Sequence, residues 1–254
     1  MTSPVGLHRN LAFMCGRFVS TAGPDRIAAY FDAVLPTEAV AESLGENYNV
    51  APTQDVYAVV ASGDGSARVD AFHWGLIPSW AKDRKIASRM INARAETLAE
   101  KPAFKGLLAK KRCIIPMDGF YEWQPGSPDG PFNSKGQPLK QPMFIHRGDG
   151  DLLTVAGLWT AWKDPDDPEG RFLHSTTIIT TAANATMQPV HDRMPALLTA
   201  EHWATWLDPS SQDLAQLTGL LDGGPPDLLT MEPVSTDVNN VRNNRPDLIE
   251  PVSR

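Results

Sequence analysis

The sequence predicts an α+β fold in a single domain, with a largely antiparallel β-sheet flanked by short helices. Three observations carry this expectation. Strand-length apolar runs are interleaved with short helical patterns, and the regular strand–helix–strand alternation of a parallel sheet is missing. The chain also has 254 residues with 42% hydrophobic content, enough for one substantial core.

Taken in order, Gly23-Pro24 ahead of Asp25 to Phe31 opens a helix with proline in its first turn. Val56 to Ala61 and Ala67 to Trp74 read as two strands joined by a Gly63-Asp64-Gly65 turn. Pro102 to Lys111 has helical composition. Short β-rich runs follow at Cys113 to Ile115, Gly119 to Trp123, Met143 to His146, Leu152 to Trp159 and Phe172 to Thr181. Helical patterns return at Ala200 to Leu207 and Gln212 to Leu221. Pro125 to Pro142 and Lys163 to Gly170, rich in Pro, Gly and polar residues, read as surface loops. Residues 236–254, with paired asparagines and two prolines, read as an irregular C-terminal tail.

Composition bounds the function. No apolar run approaches 18 residues, so no membrane span is expected. Two cysteines, Cys15 and Cys113, form neither a disulfide framework nor a zinc-binding spacing, which suits a reducing cytoplasm. The six histidines include no HxxxH pair, and neither a metal nor a cofactor is expected. The net charge of −7 is unevenly spread. From Lys82 to Arg112 ten basic residues stand against three acidic ones, a net +7 that leaves −14 on the remainder. A solvated helical face and a phosphate-binding track both explain such a run.

The most reactive feature is Met14-Cys15-Gly16-Arg17-Phe18. A cysteine after a methionine can become the true N-terminus, and its α-amine (pKa about 7.7–8.0) and thiol (about 8.5) are then both partly nucleophilic near neutrality. Together they capture an aldehyde, the amine as an imine and the sulfur by closing a five-membered thiazolidine. The preceding residues 1–13 carry neither a secretory signal nor a transit peptide, and are read as a dispensable leader or a mis-assigned start. The ordinary alternative is that Cys15 is an internal buried thiol.

Polar-aromatic clusters recur along the chain: Asn47 to Pro52, Trp74 to Trp80, Asn92 to Thr97, Asp118 to Trp123 and His191 to Pro195. Each alone has a bland reading, as turn former, exposed strand residue or satisfied loop histidine. In order, as MCGRF, YNVAP, WGLIPSW, INARAET, RCIIPMDGFYEW, AGLW and HDRMP, they resemble the SRAP family, the SOS-response-associated peptidases that act on abasic sites in single-stranded DNA.

The resemblance runs from Met14 to about residue 235 and implies a catalytic domain over 14–235 with a barrel-like core. It implies Cys15 as nucleophile, His191 opening the abasic sugar to its aldehyde, Glu122 shuttling protons at the Cys15 amine, and Asn92 holding the sugar. Arg17 and Arg94 would clamp phosphates, with Arg89 and Lys82 along the track. Asn49 would contact the DNA, and Trp74 and Trp123, with Pro52, would stack on bases, the alternative being that these tryptophans fill the core. Trp159, Trp162, Trp203 and Trp206 are expected to fill the core. The implied partner is abasic single-stranded DNA, bound by a monomer associated with the nucleoid. Two other readings stay open at this point, a thiol autopeptidase using the same four residues and a non-catalytic single-stranded DNA binding module.

Overall fold

The computed structural model describes residues 15–36 and 44–252. The expected leader lies outside the described residues. Twelve strands and four α-helices are assigned among them: β1 Phe18–Ser20, α1 Pro24–Phe31, β2 Asn47–Val50, β3 Asp55–Ala61, β4 Ala67–Trp74, β5 Asn92–Arg94, α2 Pro102–Lys110, β6 Arg112–Met117, β7 Gly119–Gln124, β8 Gln141–Arg147, β9 Leu153–Lys163, β10 Phe172–Ala182, β11 Arg193–Pro195, α3 Ala200–Leu207, α4 Leu214–Gly219 and β12 Leu229–Pro233.

Five strands close on themselves in the order β6-β9-β10-β4-β3, with β3 returning to β6. Closure removes the free edges an open sheet would expose. All of these pairings are antiparallel except β10 with β4. A second, wholly antiparallel sheet runs β12-β8-β7-β1-β2. The architecture is therefore the α+β, largely antiparallel, barrel-like one expected from the sequence. Among the described residues no helix is long and apolar enough to cross a membrane.

Two features decide where the site forms. The first is β10, which is paired on both edges. Its C-terminal half takes β5 on one side, Thr180 opposite Arg94, and β11 on the other, Thr180 opposite Pro195. Neither three-residue strand was legible in the sequence, because each is too short to show a period of two. The second is the entry to the loop joining β4 to β5. Gly75 has φ +129°, and a side chain there would meet the Ala87 carbonyl oxygen at 2.6 Å, so only glycine fits.

The segment expected as an irregular tail is packed into the fold. Residues Thr236–Asn239 and Pro246–Ile249 form 3-10 turns, and Val238 and Leu248 are buried against Val19, Tyr121 and Phe144. Asn49 is the reason. Its Nδ2 donates to the carbonyls of Val238, Asn240 and Asn243 at 3.3, 3.1 and 3.0 Å.

The basic segment also divides. Arg112 is buried, and its guanidinium donates to the carbonyls of Leu108 at 2.7 Å, Trp206 and Asp208. These carbonyls belong to the C-terminal turns of α2 and α3, whose last carbonyls have no partner within the helix and carry the negative end of its dipole. Arg112 is thus a structural cation. Lys111 lies over the Trp159 ring at 3.9 Å. Trp162 and Trp206 are buried, whereas Trp159 and Trp203 are half-buried.

Replacing Arg112 by methionine should strand those carbonyls and lower stability by about 2–4 kcal/mol. Urea unfolding followed by circular dichroism measures it.

Candidate active site

Cys15 and Glu122 meet because β1 and β7 pair. Phe18 lies opposite Phe120, and the Tyr121 amide donates to the Arg17 carbonyl at 3.0 Å. Carried one step outward, this register sets Gly16 opposite Glu122, with Cys15 just beyond. There the Cys15 backbone nitrogen donates to Glu122 Oε1 at 2.6 Å. Both residues are enclosed, Cys15 at 2% and Glu122 at 5% exposure. Burial pushes the Glu122 carboxyl up to about 7, against the opposing pull of backbone donors at Cys15 and Trp123 and the charge of Lys140. Burial, then the Glu122 charge, raises the Cys15 thiol well above its ordinary range. At neutral pH the thiol keeps its proton while the carboxyl is poised to exchange one.

Cys15 also has φ +48°. A non-glycine residue in the left-handed region costs about 1–2 kcal/mol. The torsion is defined by the carbonyl of the preceding residue, so a chain beginning at Cys15 would not bear that strain.

Asn92 and His191 come from the two edges of β10. Asn92 starts β5, opposite Ile178. His191 precedes β11 in a turn held by Ala183 N donating to Asp192 O and His191 N donating to Met187 O, both 3.0 Å. The Arg193 amide approaches His191 Nδ1 at 3.0 Å. Asp192 Oδ1 stands 2.9 Å from the same Nδ1, ready to receive an N–H once the ring is protonated. Burial holds the His191 pKa below its usual value, with Asp192 opposing.

The two halves share one apolar cluster containing Cys15, Phe18, Trp74, Ile91 and Val190. Trp74 joins them. Its ring meets Phe18 edge-on at 5.0 Å, and its Nε1 donates to the Ile91 carbonyl at 3.1 Å. It is 0% exposed, so the expectation that it stacks on bases is corrected: this indole packs in the core. Asn49 is corrected likewise, being buried and committed to the tail. Arg17 is half-committed, its Nη1 donating to Asn49 Oδ1 at 2.7 Å and the Val238 carbonyl at 2.9 Å.

Arg94 and Arg89 are exposed, and Pro52 and Trp123 are half-buried, with Trp123 Nε1 donating to Asn239 Oδ1 at 2.7 Å. Trp80, assigned no role from the sequence, is 67% exposed on the β4–β5 loop beside Lys82, Asp83, Lys85 and Arg89 around a cleft of about 470 Å³. The signal was available. In WGLIPSW the second tryptophan follows a Pro-Ser pair and precedes the basic run, where a turn would lift it to the surface.

The comparisons with known proteins agree with these motifs. The family described as SOS response associated peptidase (SRAP) matches residues 14–241. The chain belongs to the SRAP family. Abasic site processing protein YoqW of Bacillus subtilis (strain 168) is 43% identical over 93% of this chain and 99% of its own length. Abasic site processing protein HMCES of Xenopus tropicalis is 34% identical over 92% of this chain and 77% of its own. A crystal structure of a protein from Bacteroides thetaiotaomicron superposes with a TM-score of 0.80 at 28% identity, covering 94% of this chain and all of that one. For this SRAP chain, HDRMP and INARAET are thus the sequences that flank one strand.

The raised Glu122 pKa has a thermodynamic consequence. The folded chain binds this proton more tightly than the unfolded one, so the stability it confers is full at acid pH and lost as pH rises from about 4.5 through about 7. In protein that retains the residues before Cys15, Glu122→Gln should flatten this decline, read from urea unfolding between pH 4.5 and 8.

Proposed function

We propose that this protein processes abasic sites by capturing them covalently on Cys15 in single-stranded DNA. The observation that carries this reading is the 2.6 Å contact between the Cys15 nitrogen and a buried carboxyl of pKa about 7. Relatives named as abasic site processing proteins, matched over nearly the whole chain, support the substrate class.

The chemistry follows from the groups present. An abasic deoxyribose is mostly a closed hemiacetal. His191 Nε2 exchanges the proton that must leave the anomeric hydroxyl and reach the ring oxygen, which opens the sugar to an aldehyde and a C4′ hydroxyl. With Cys15 as first residue, its free amine adds to the aldehyde carbon, and loss of water, assisted by proton transfer from Glu122, leaves an imine. The thiol then adds across the C=N bond. Its proton passes to the nitrogen through the carboxylate, closing the thiazolidine. A thiol held protonated by burial favours amine-first order, because the sulfur acquires a base only when Glu122 is ionised beside it.

Asn92 holds the sugar in this scheme. Arg94, Arg89 and Lys82 receive phosphates, and Trp80 takes over the stacking role that Trp74 cannot fill, with Pro52, Trp123 and the uncommitted nitrogens of Arg17 as lesser contacts. All four catalytic groups come from one chain, so a monomer at the nucleoid suffices.

The same contact favours a second role, removal of the residues before Cys15. Attack of Sγ on the Met14 carbonyl would give a thioester, the leaving nitrogen taking its proton from Glu122, and water would release the leader and restore the thiol.

Mass spectrometry of the protein mixed with an abasic oligonucleotide tests both. In protein started at Met14, with that methionine removed, Cys15→Ala should give no adduct. Glu122→Gln and His191→Ala should reach adduct about 10²–10⁴-fold more slowly. Wild-type rates in both variants, or a stable adduct with Cys15→Ala, would overturn the scheme. From the full-length sequence, Glu122→Gln should retain residues 1–14 if removal is autocatalytic.

Trp80→Ala should weaken binding to undamaged single strands by about 1–3 kcal/mol, the usual worth of one stacked base. Fluorescence anisotropy reads it, and unchanged affinity would move Trp80 off the DNA path.

A further inference from the structure

Residues 239–244 read Asn-Asn-Val-Arg-Asn-Asn, and all four asparagines are spent inside the protein. Asn239 Oδ1 accepts from Trp123 Nε1 at 2.7 Å. Asn240 Oδ1 accepts from the Arg242 amide at 3.1 Å, and Asn243 Nδ2 donates to the Asp237 carbonyl at 2.8 Å, which closes the turn on itself. Asn244 ties it to the start of β2, Oδ1 accepting from the Tyr48 nitrogen at 2.8 Å and Nδ2 donating to the Glu46 carbonyl at 3.1 Å. Asn49 holds the same turn through the carbonyls of Asn240 and Asn243.

This accounting leaves Val241 and Arg242. Val241 is 49% exposed, and Arg242 is exposed with its guanidinium in no ion pair or side-chain hydrogen bond among the described residues. Arg245, three residues on, is paired with both Asp237 and Asp247. One arginine of the tail is thus neutralised within the fold and the other is presented to solvent. The backbone beneath it is already ordered, so a ligand meeting Arg242 has less chain to immobilise than one meeting a loose loop.

The position of the turn says what that cation meets. The two residues that open it hold side chains of the site: the Val238 carbonyl accepts from Arg17 Nη1 at 2.9 Å, and Asn239 accepts from Trp123. Arg17 lies two residues beyond Cys15, and Trp123 follows Glu122 on β7. The turn is therefore continuous with the side of the site that carries the nucleophile. From Val238 to Asn244 the only formal charge is that of Arg242, and the nearest carboxylate before it in sequence, Asp237, is held by Arg245. A phosphate arriving at Arg242 meets no unpaired acid on this turn, and a guanidinium receives phosphate through two parallel bonds.

We propose that the Val241–Arg242 turn is a further subsite for the DNA strand, Arg242 taking a backbone phosphate and Val241 covering the adjoining sugar. The choice of DNA as occupant rests on the abasic-site reading above.

The test uses the full chain begun at Cys15. Fluorescence anisotropy on an undamaged single strand is followed across a salt series. Arg242→Gln should bind about threefold to tenfold more weakly at low salt, and its log–log salt dependence should be shallower by about 0.7, the share of one phosphate contact. Arg242→Lys should recover the slope, and the melting temperature of both variants should match wild type because the guanidinium makes no internal contact. In single-turnover adduct formation on an abasic strand, Arg242→Gln should raise the half-saturating DNA concentration with the saturating rate within twofold. Wild-type affinity and slope in Arg242→Gln would overturn the proposal. So would a loss equal at every salt concentration or one that Arg242→Lys does not reverse, either of which would give Arg242 a structural role. If wild type forms adduct and Arg242→Gln binds as wild type does, the subsite alone falls. If wild type forms no adduct while Arg242→Gln still flattens the salt dependence, abasic capture falls and the subsite stands.

Discussion

The structure turns on a carboxyl group that has been taken out of water to meet one nitrogen. A buried carboxylate needs donors, and the donors of Glu122 are backbone amides, those of Cys15 and Trp123. That need explains the geometry around it. The β1–β7 pairing must hold its register to the residue, since a slip of one would send Glu122 to the opposite face. The Cys15 backbone must accept a left-handed torsion to aim its nitrogen. The apolar cluster around both must stay dry, because the raised pKa and the protonated thiol follow from desolvation.

The closed barrel and the open sheet divide the chemistry between them. The open sheet carries Cys15 and Glu122 as a hydrogen-bonded pair, whereas the barrel carries Asn92 and His191 at the two edges of β10. Trp74 is packed where the two meet, its ring on Phe18 of the open sheet and its Nε1 on the Ile91 carbonyl ahead of β5. A tryptophan doing this cannot also stack on a base. The motif carries two tryptophans, and the turn at Pro78-Ser79 turns the second one outward.

Much of this was legible in the residues. The long strands β3, β4, β9 and β10 announced themselves by apolar runs between turn residues, proline at the first turn marked α1, and composition marked α2. The short strands β1, β2, β5 and β11 did not, because three or four residues carry no period and their pairing is set by partners far away in sequence. The same limit explains the errors at the site. Tryptophan and asparagine in a motif look alike whether they touch ligand or core, and only burial separated Trp74 from Trp80 and turned Asn49 into the anchor of the tail. Arg112 looked like part of a basic face because its partners, three helix-terminal carbonyls, leave no mark in composition.

The tail shows why a motif's polar residues cannot be assigned one by one. Asn49 Oδ1 accepts from Arg17 while its Nδ2 donates to three tail carbonyls, and Tyr121 donates to the Tyr48 carbonyl at 2.9 Å from the strand that carries Glu122. Residues 238–243 are thereby tied through Asn49 and Arg17 to the strand that begins three residues after Cys15. Arg17 lies between the nucleophile and that network, with one nitrogen held by the tail. A guanidinium so held has less conformational freedom than a free surface arginine, so the tail fixes the position it occupies. The polar residues of MCGRF and YNVAP thus fix the backbone that presents Cys15 from behind, while Trp80, Arg89 and Arg94 stay exposed to solvent.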